Sequence, residues 1–274
     1  MQSINTNIGA MIALQNLNAT SSELMTTQNH ISTGLKVASA KDDGAGYAIA
    51  QTQRATVISL DAVKDSLSRS TSVVDVAMSA GSSVSDMLMQ LKEKALAASD
   101  TSLDTTSRNA LNADFTSIRD QVTKTLTNAT FNGINLVDGS NSQITALANA
   151  DGSGKITVAG QDLSLGGSIV TLSAAAGFTT ATSAAALLTT IDTSISNVSS
   201  SLASLGTSSK ALANHETFVG KLQDSITSGI GNIVDADMAK ESAKLQALQT
   251  KQALGVQALS IANQSTSTVI ALFR

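Results

Sequence analysis

The chain has 274 residues, with no proline, cysteine or tryptophan; 42% are hydrophobic, 2% aromatic and 14% charged. Average chains are about 25% charged, so this one lacks both the rings that fill a globular core and the charges that solubilise a free surface. The net charge of −4 gives no basic field for phosphate, which argues against nucleic acid, and the missing thiols exclude disulfides and thiolate metal sites.

The length allows one or two domains. Met1-Gln2-Ser3-Ile4-Asn5 lacks the basic patch and apolar run of a cleavable signal. No segment approaches the roughly 18 to 20 apolar residues that span a bilayer, so no membrane insertion is expected. On these features alone the chain reads as cytosolic.

In chain order, the first element is an apolar stripe over Ile4, Ile8, Met11, Leu14, Leu17, Leu24, Ile31 and Leu35. Its helix breaks at Gly34, Lys41, Asp42, Asp43 and Gly44. There Gly34 or Gly44 supplies backbone freedom and Asp42 or Asp43 caps the next helix. From Ala45 to Leu96 a seven-residue rhythm runs Ile49, Thr56, Leu60, Val63, Leu67, Val74, Ala77, Gly81, Val84, Leu88, Leu91, Ala95. Such spacing keeps one stripe facing a partner helix, as in a coiled coil. A helix of about 50 residues is about 75 Å long. Ser99-Asp100-Thr101-Ser102 offers N-cap chemistry for a further helix through Leu111, Phe115, Ile118, Val122 and Leu126, ending near Asn128.

Between 132 and 182 glycines punctuate short β-branched runs, Ile156-Thr157-Val158 and Ile169-Val170-Thr171-Leu172, which predict strands and hairpins. A second long seam comes next: Leu188, Ile191, Ile195, Val198, Leu202, Leu205, Leu212, Val219, Leu222, Ile226, Ile230. The last stripe is Leu245, Leu248, Val256, Leu259, Ile270 and Phe273. The flanking faces are Ser, Thr, Gln and Asn rather than Lys and Glu, which suits helices packed on several sides. The expected fold is mainly α: a long antiparallel coiled-coil bundle with a small β-hairpin insert. Met78, Met87 and Met89 lie in the seams and are read as packing residues.

Several fragments imitate ligand motifs. His215-Glu216-Thr217-Phe218-Val219 opens like a zinc-protease helix, but Val219 stands where the second histidine is needed, leaving His215 as a solvated helix residue. Asn149-Ala150-Asp151-Gly152-Ser153-Gly154 resembles the start of a calcium loop. Its twelfth position is Gly160 and a strand-like run comes after it, so a turn between two strands is expected. With two isolated histidines, His30 and His215, no serine acquires a base and an orienting acid. No catalytic residue, metal or cofactor is expected.

The residues that remain resemble those of bacterial flagellins. Ile4-Asn5-Thr6-Asn7 is similar to the family's opening. The block from His30 to Gln51, with Ser32-Thr33-Gly34-Leu35 and Ala40-Lys41-Asp42-Asp43-Gly44-Ala45-Gly46, resembles its most recognisable segment. Thr130-Phe131-Asn132-Gly133-Ile134-Asn135-Leu136, Ile233-Val234-Asp235-Ala236-Asp237-Met238-Ala239 and Ala262-Asn263-Gln264 through Phe273-Arg274 resemble the remaining signatures. The resemblance implies inner terminal helices (1–43 and 235–274), a rod of long helices (44–131 and 183–234) and a short variable insert (132–182). It implies self-polymerisation into an extracellular filament that carries motor torque, with subunit packing through the terminal stripes. The implied partners are further copies of the chain, flagellar cap and hook–filament junction proteins, an export chaperone and the type III export apparatus. Such export explains an extracellular protein without a cleavable signal, and the absence of proline and disulfides suits passage unfolded.

Thr171, Ser173, Thr179, Thr180, Thr182 and Ser183 are expected O-glycosylation acceptors, as in some relatives. The stretch Met89 to Leu96 resembles the segment that an innate immune receptor reads in many flagellins, but has Gln90 and Lys92 at positions where arginine is expected. The alternatives are a hook–filament junction protein of the same family, a filament-displayed enzyme and a membrane-surface helix. The insert has no histidine for the second of these, and the helices lack the Lys/Arg faces of the third.

Overall fold

The computed structural model describes residues 6–271, with side chains described for 6–264. The elements are α1 (Ile8–Thr33), α2 (Gly44–Ala98), α3 (Thr105–Asn128), β1 (Gln143–Leu147), β2 (Lys155–Ala159), α4 (Ala181–Val234) and α5 (Met238–Ala271). The chain forms two compact units, a central one over 56–224 and a terminal one over 1–55 with 225–274.

In the central unit α2 and α4 run antiparallel. Asp61 accepts from the Gln223 amide at 2.6 Å, and Lys92 pairs with Asp192 at 2.6 Å. These contacts lie 31 residues apart on each helix, so the register holds over that span. The heptad is unbroken. On α2 every seventh residue from Leu60 (Leu67, Val74, Gly81, Leu88, Ala95) is buried, and so is every seventh from Val63 (Ser70, Ala77, Val84, Leu91, Ala98). On α4 the buried line is Ala184, Ile191, Val198, Leu205, Leu212 and Val219. Gly81 lets Leu202 approach closely: a Cβ there would lie 2.7 Å from Leu202 Cδ2, and that side chain would have to shift. The seam has two exceptions, since Ile49 and Leu222 are exposed; Met89 is exposed as well, so it does not pack within the subunit.

Helix α3 closes the bundle with buried Phe115, Val122 and Leu126, the Phe115 ring meeting Phe178 edge-on at 5.2 Å. Its N-cap is Asp104, whose carboxylate accepts from Ser107 N–H. Asp100 lies in the preceding turn, where it accepts from Ser102 N–H instead of capping the helix. The buried Arg108 donates to the carbonyls of Ala98, Asp100 and Leu103, satisfying the exit of α2. Asn135, also buried, donates to the Leu126 carbonyl and closes the end of α3.

The insert contributes one antiparallel hairpin, registered from Gln143 opposite Ala159 to Leu147 opposite Lys155. The calcium-like fragment is its turn: Asn149 and Asp151 accept from Gly154 and Ser153 N–H. The strand expected at Ile169–Leu172 does not form. Val170 and Leu172 are buried, but Thr171 N–H donates to Ser194 Oγ on α4 rather than to a neighbouring strand. His215 is not a solvated residue either. It is half-buried, and its Nε2 lies 2.7 Å from the Ala148 carbonyl, tying the hairpin to α4, while Ser66 Oγ accepts from Leu147 N–H on the α2 side.

In the terminal unit α1 and α5 are antiparallel. Asn7 Nδ2 donates to the Ala262 carbonyl, Gln252 Nε2 to Ser21 Oγ, and Gly255 lets Leu17 approach. No helix of the described residues is long and apolar enough to cross a membrane.

Candidate functional site

Two features concentrate the unusual chemistry, and both lie in the terminal unit: the connector between α1 and α2, and the outward faces of α1 and α5. Helix α1 ends because Gly34 adopts φ +74°, a left-handed conformation in which its N–H returns to the His30 carbonyl. Gly44, by contrast, is the first residue of α2 and has no positive φ. Between them Asp42 accepts from Ala38 N–H, Ser39 N–H and the Ser39 hydroxyl. The Ser39 N–H holds the Asp42 carboxyl below its ordinary pKa, helped by the Ser39 hydroxyl, Ala38 N–H and the field of His30, against a smaller opposing effect of desolvation. Asp43 does the capping, its Oδ1 accepting from Ala45 and Gly46 N–H. Lys41 is exposed.

The connector is stitched to the exit of α4. Lys36 and Val37 N–H donate to the Val234 carbonyl, Ala236 N–H to the Gly34 carbonyl, and Lys36 Nζ to the Asn232 carbonyl. Below it the His30 Nδ1 and Glu241 Oε1 atoms are 3.5 Å apart between largely buried side chains. That separation meets no hydrogen-bond geometry. His30 Nδ1, Glu241 Oε2 and Thr27 Oγ1 are all buried without a hydrogen-bond partner among the described residues.

The apolar stripes behave differently from those of the central unit. In α1 the fully buried residues are Thr20 and Thr27. Ile8 is 60% exposed, Met11 62% and Leu14 exposed, while Leu17, Leu24 and Ile31 are half-buried. In α5 Leu248 is buried, Leu245 and Leu259 half-buried, and Val256 54% exposed. Ile12, Met25, Leu254 and Ile261, absent from the expected set, are also exposed. They fall between heptad positions, so a search for a single seam passes over them; only the shortage of charge in the flanks signals a second apolar face. Ile4 and Phe273 lie outside the described residues, as does the side chain of Ile270.

Of the expected glycan acceptors, Thr171 is bonded to Thr190 and Ser194, and Ser173 Oγ accepts from Ala175 N–H. Thr180 and Ser183 bond each other reciprocally at the start of α4, a capping arrangement. Thr179 and Thr182 are exposed, and their hydroxyls make no hydrogen bond among the described residues.

Known proteins match this chain over almost all of its length. Residues 4–142 match the bacterial flagellin N-terminal helical region and residues 188–273 the bacterial flagellin C-terminal helical region. Flagellin FljK of Caulobacter vibrioides is 60% identical over 274 residues, covering 100% of this chain and 99% of that protein. A flagellin of Brucella melitensis is 36% identical over 283 residues and 100% of both chains. A solved structure, Bacillus cereus flagellin, is similar at a TM-score of 0.43 and 15% identity, over 66% of this chain and 94% of that one. With both helical regions matched and the relatives covered end to end, the chain belongs to the bacterial flagellin family.

Proposed function

We propose that this protein is a structural subunit that self-polymerises into the flagellar filament, outside the cell, and transmits motor torque for swimming. One observation supports this above all: the terminal pair leaves Ile8, Met11, Ile12, Leu254 and Ile261 more than half exposed on a chain with few charges to shield them. Large exposed apolar patches mark interaction sites. Stacking copies buries these faces, at about 25 cal/mol per Å² of apolar area. The contact is heterologous, one face of a copy meeting a different face of the next, and such contacts generate helical filaments.

In this reading Ile4, Ile8, Met11, Leu14, Leu17, Leu24, Ile31, Leu245, Leu248, Val256, Leu259, Ile270 and Phe273 carry subunit packing within an inner core of 1–43 and 235–274. Residues 44–131 and 183–234 form the rod and 132–182 its outer insert. Gly34, Lys41, Asp42, Asp43 and Gly44 set the turn between core and rod. The role is structural rather than catalytic. Export proceeds through the type III apparatus, aided by a chaperone, and assembly meets cap and hook–filament junction proteins. If the outer segment is glycosylated, Thr179 and Thr182 are the acceptors whose hydroxyls are free. Full-length identity to flagellins favours the filament subunit over a junction protein.

Leu259→Asp tests the packing role. It is expected to give a soluble monomer with unchanged helix content that does not polymerise on wild-type seeds. Filaments of wild-type length from this variant would overturn the assignment of the α5 stripe.

A further inference from the structure

The central unit has a groove of about 370 Å³ between α2 and the segment that leads from α3 into β1. Ser66 and Arg69 line it from the helix; Phe131, Asn132, Asn141 and Thr145 line it from the other side. Arg69 is exposed and has no ion pair or hydrogen bond among the described residues. By contrast, Arg108 donates to backbone carbonyls and Arg119 to the Ala176 carbonyl and Asp120. Asn132, at the rim, holds φ +50°, and Phe131 beside it is 37% exposed. The Asn141 amide is used by the Asn135 carbonyl and the Ser140 hydroxyl. A planar cation beside the Asn132 amide and an aromatic edge nonetheless suits a carboxylate, which an Arg fork binds in two-point fashion.

The same helix carries the complementary charge on another face. Asp75, Asp86 and Glu93 are exposed and make no ion pair among the described residues. In the seven-residue frame set by the buried stripe they fall within about 50° of one line, roughly 27 Å long and about 50–100° round the helix from Arg69. Groove and acidic line therefore point in different directions from one rod. A contact between unlike faces is what a non-closing polymer needs.

We infer that the Arg69 groove receives a carboxylate of the α2 acidic line, Asp75, Asp86 or Glu93, from a neighbouring copy in the filament. This rests on the filament reading and adds to it: apolar burial of the terminal pair supplies the affinity, and the ion pair sets lateral register. Charge complementarity of this kind contributes more to orientation and association rate than to affinity.

The test is a charge-swap series on the full-length protein, seeded with wild-type filament fragments, with helix content of each monomer confirmed by circular dichroism. Arg69→Glu is expected to raise the critical concentration about three- to tenfold, as befits an ion pair near the surface. Arg69→Gln should raise it less. Asp75→Arg, Asp86→Arg or Glu93→Arg combined with Arg69→Glu is expected to bring it back, and the rescuing position identifies the partner carboxylate. Wild-type polymerisation of Arg69→Glu, or failure of all three swaps to rescue it, overturns the inference. Since wild-type protein assembles in the same assay, that result would leave the filament reading intact.

Discussion

The two units contain the same ingredients, antiparallel helices of Ala, Leu, Ile, Val, Ser and Thr without proline, yet they finish differently. In the central unit the heptad of α2 is buried at every turn from Leu60 to Ala98 by groups of the same subunit. In the terminal unit the interface of α1 with α5 includes Leu17, Leu248 and Gly255, the buried residues of α1 are threonines, and Ile8, Met11, Ile12, Leu254 and Ile261 are exposed. Three helices enclose a seam, whereas two helices leave most of each circumference bare. The central unit thus buries its seam within one chain, whereas the terminal pair leaves large apolar side chains exposed.

The comparison is most exposed to core substitutions. Phe115→Ala removes a fully buried ring and its edge contact with Phe178, at a cost of about 3–5 kcal/mol. Urea unfolding of the dilute monomer should register that loss in full. Ile8→Ala, in the terminal unit, should leave monomer unfolding unchanged and slow polymerisation; a monomer loss comparable to that of Phe115→Ala would mean that α1 is already packed in the free subunit. Next comes Arg108→Met, which strips three carbonyls of their donor in a buried corner. Allowing about 1–3 kcal/mol for each group left unsatisfied and some rescue by water, about 3 kcal/mol is expected in the same unfolding measurement. A change below about 1 kcal/mol would show that the end of α2 is not held by this side chain.

The helices and their seams were legible because a seven-residue repeat declares both length and buried face; Gly44–Ala98 lies within two residues of the range read from sequence. Asn128 was likewise readable as the end of α3. The insert was half legible. Ile156–Val158 pairs as a strand, but Ile169–Leu172 has the same β-branched signature and bonds its backbone to Ser194 and Asn197 of α4 rather than to a ladder. Arg108, Asn135 and His215 were not legible as closures, because a cap made by a side chain some ten or more residues away in sequence leaves no periodic trace. The exposed second face of α1 and α5 escaped for a related reason: Ile12 and Leu254 sit outside any one seam.

The smallest expected effect is at the caps, where the two units can be compared on one chemistry. Asp104 caps α3 in the central unit and Asp43 caps α2 in the terminal unit, each through one carboxylate oxygen and backbone N–H groups. Replacing either by alanine should weaken the first turn of its helix without unfolding the unit. For Asp104 the pH dependence has a definite sign. Its carboxyl is held below the ordinary value, first by the Ser107 hydroxyl and then by the Ser107 N–H. A depressed folded-state pKa means stabilisation that is present above the usual carboxylate pKa of about 3.9 and is lost as the pH falls through the lower folded value. Wild-type amides in the first turn of α3 should therefore lose protection from hydrogen exchange below about pH 4, and Asp104→Asn, which keeps an acceptor without a titrating proton, should flatten that loss. In Asp43→Ala the weakened protection should stay confined to the first turn of α2. Loss that spread along α2 past Leu60 would mean that this cap supports the central seam as well.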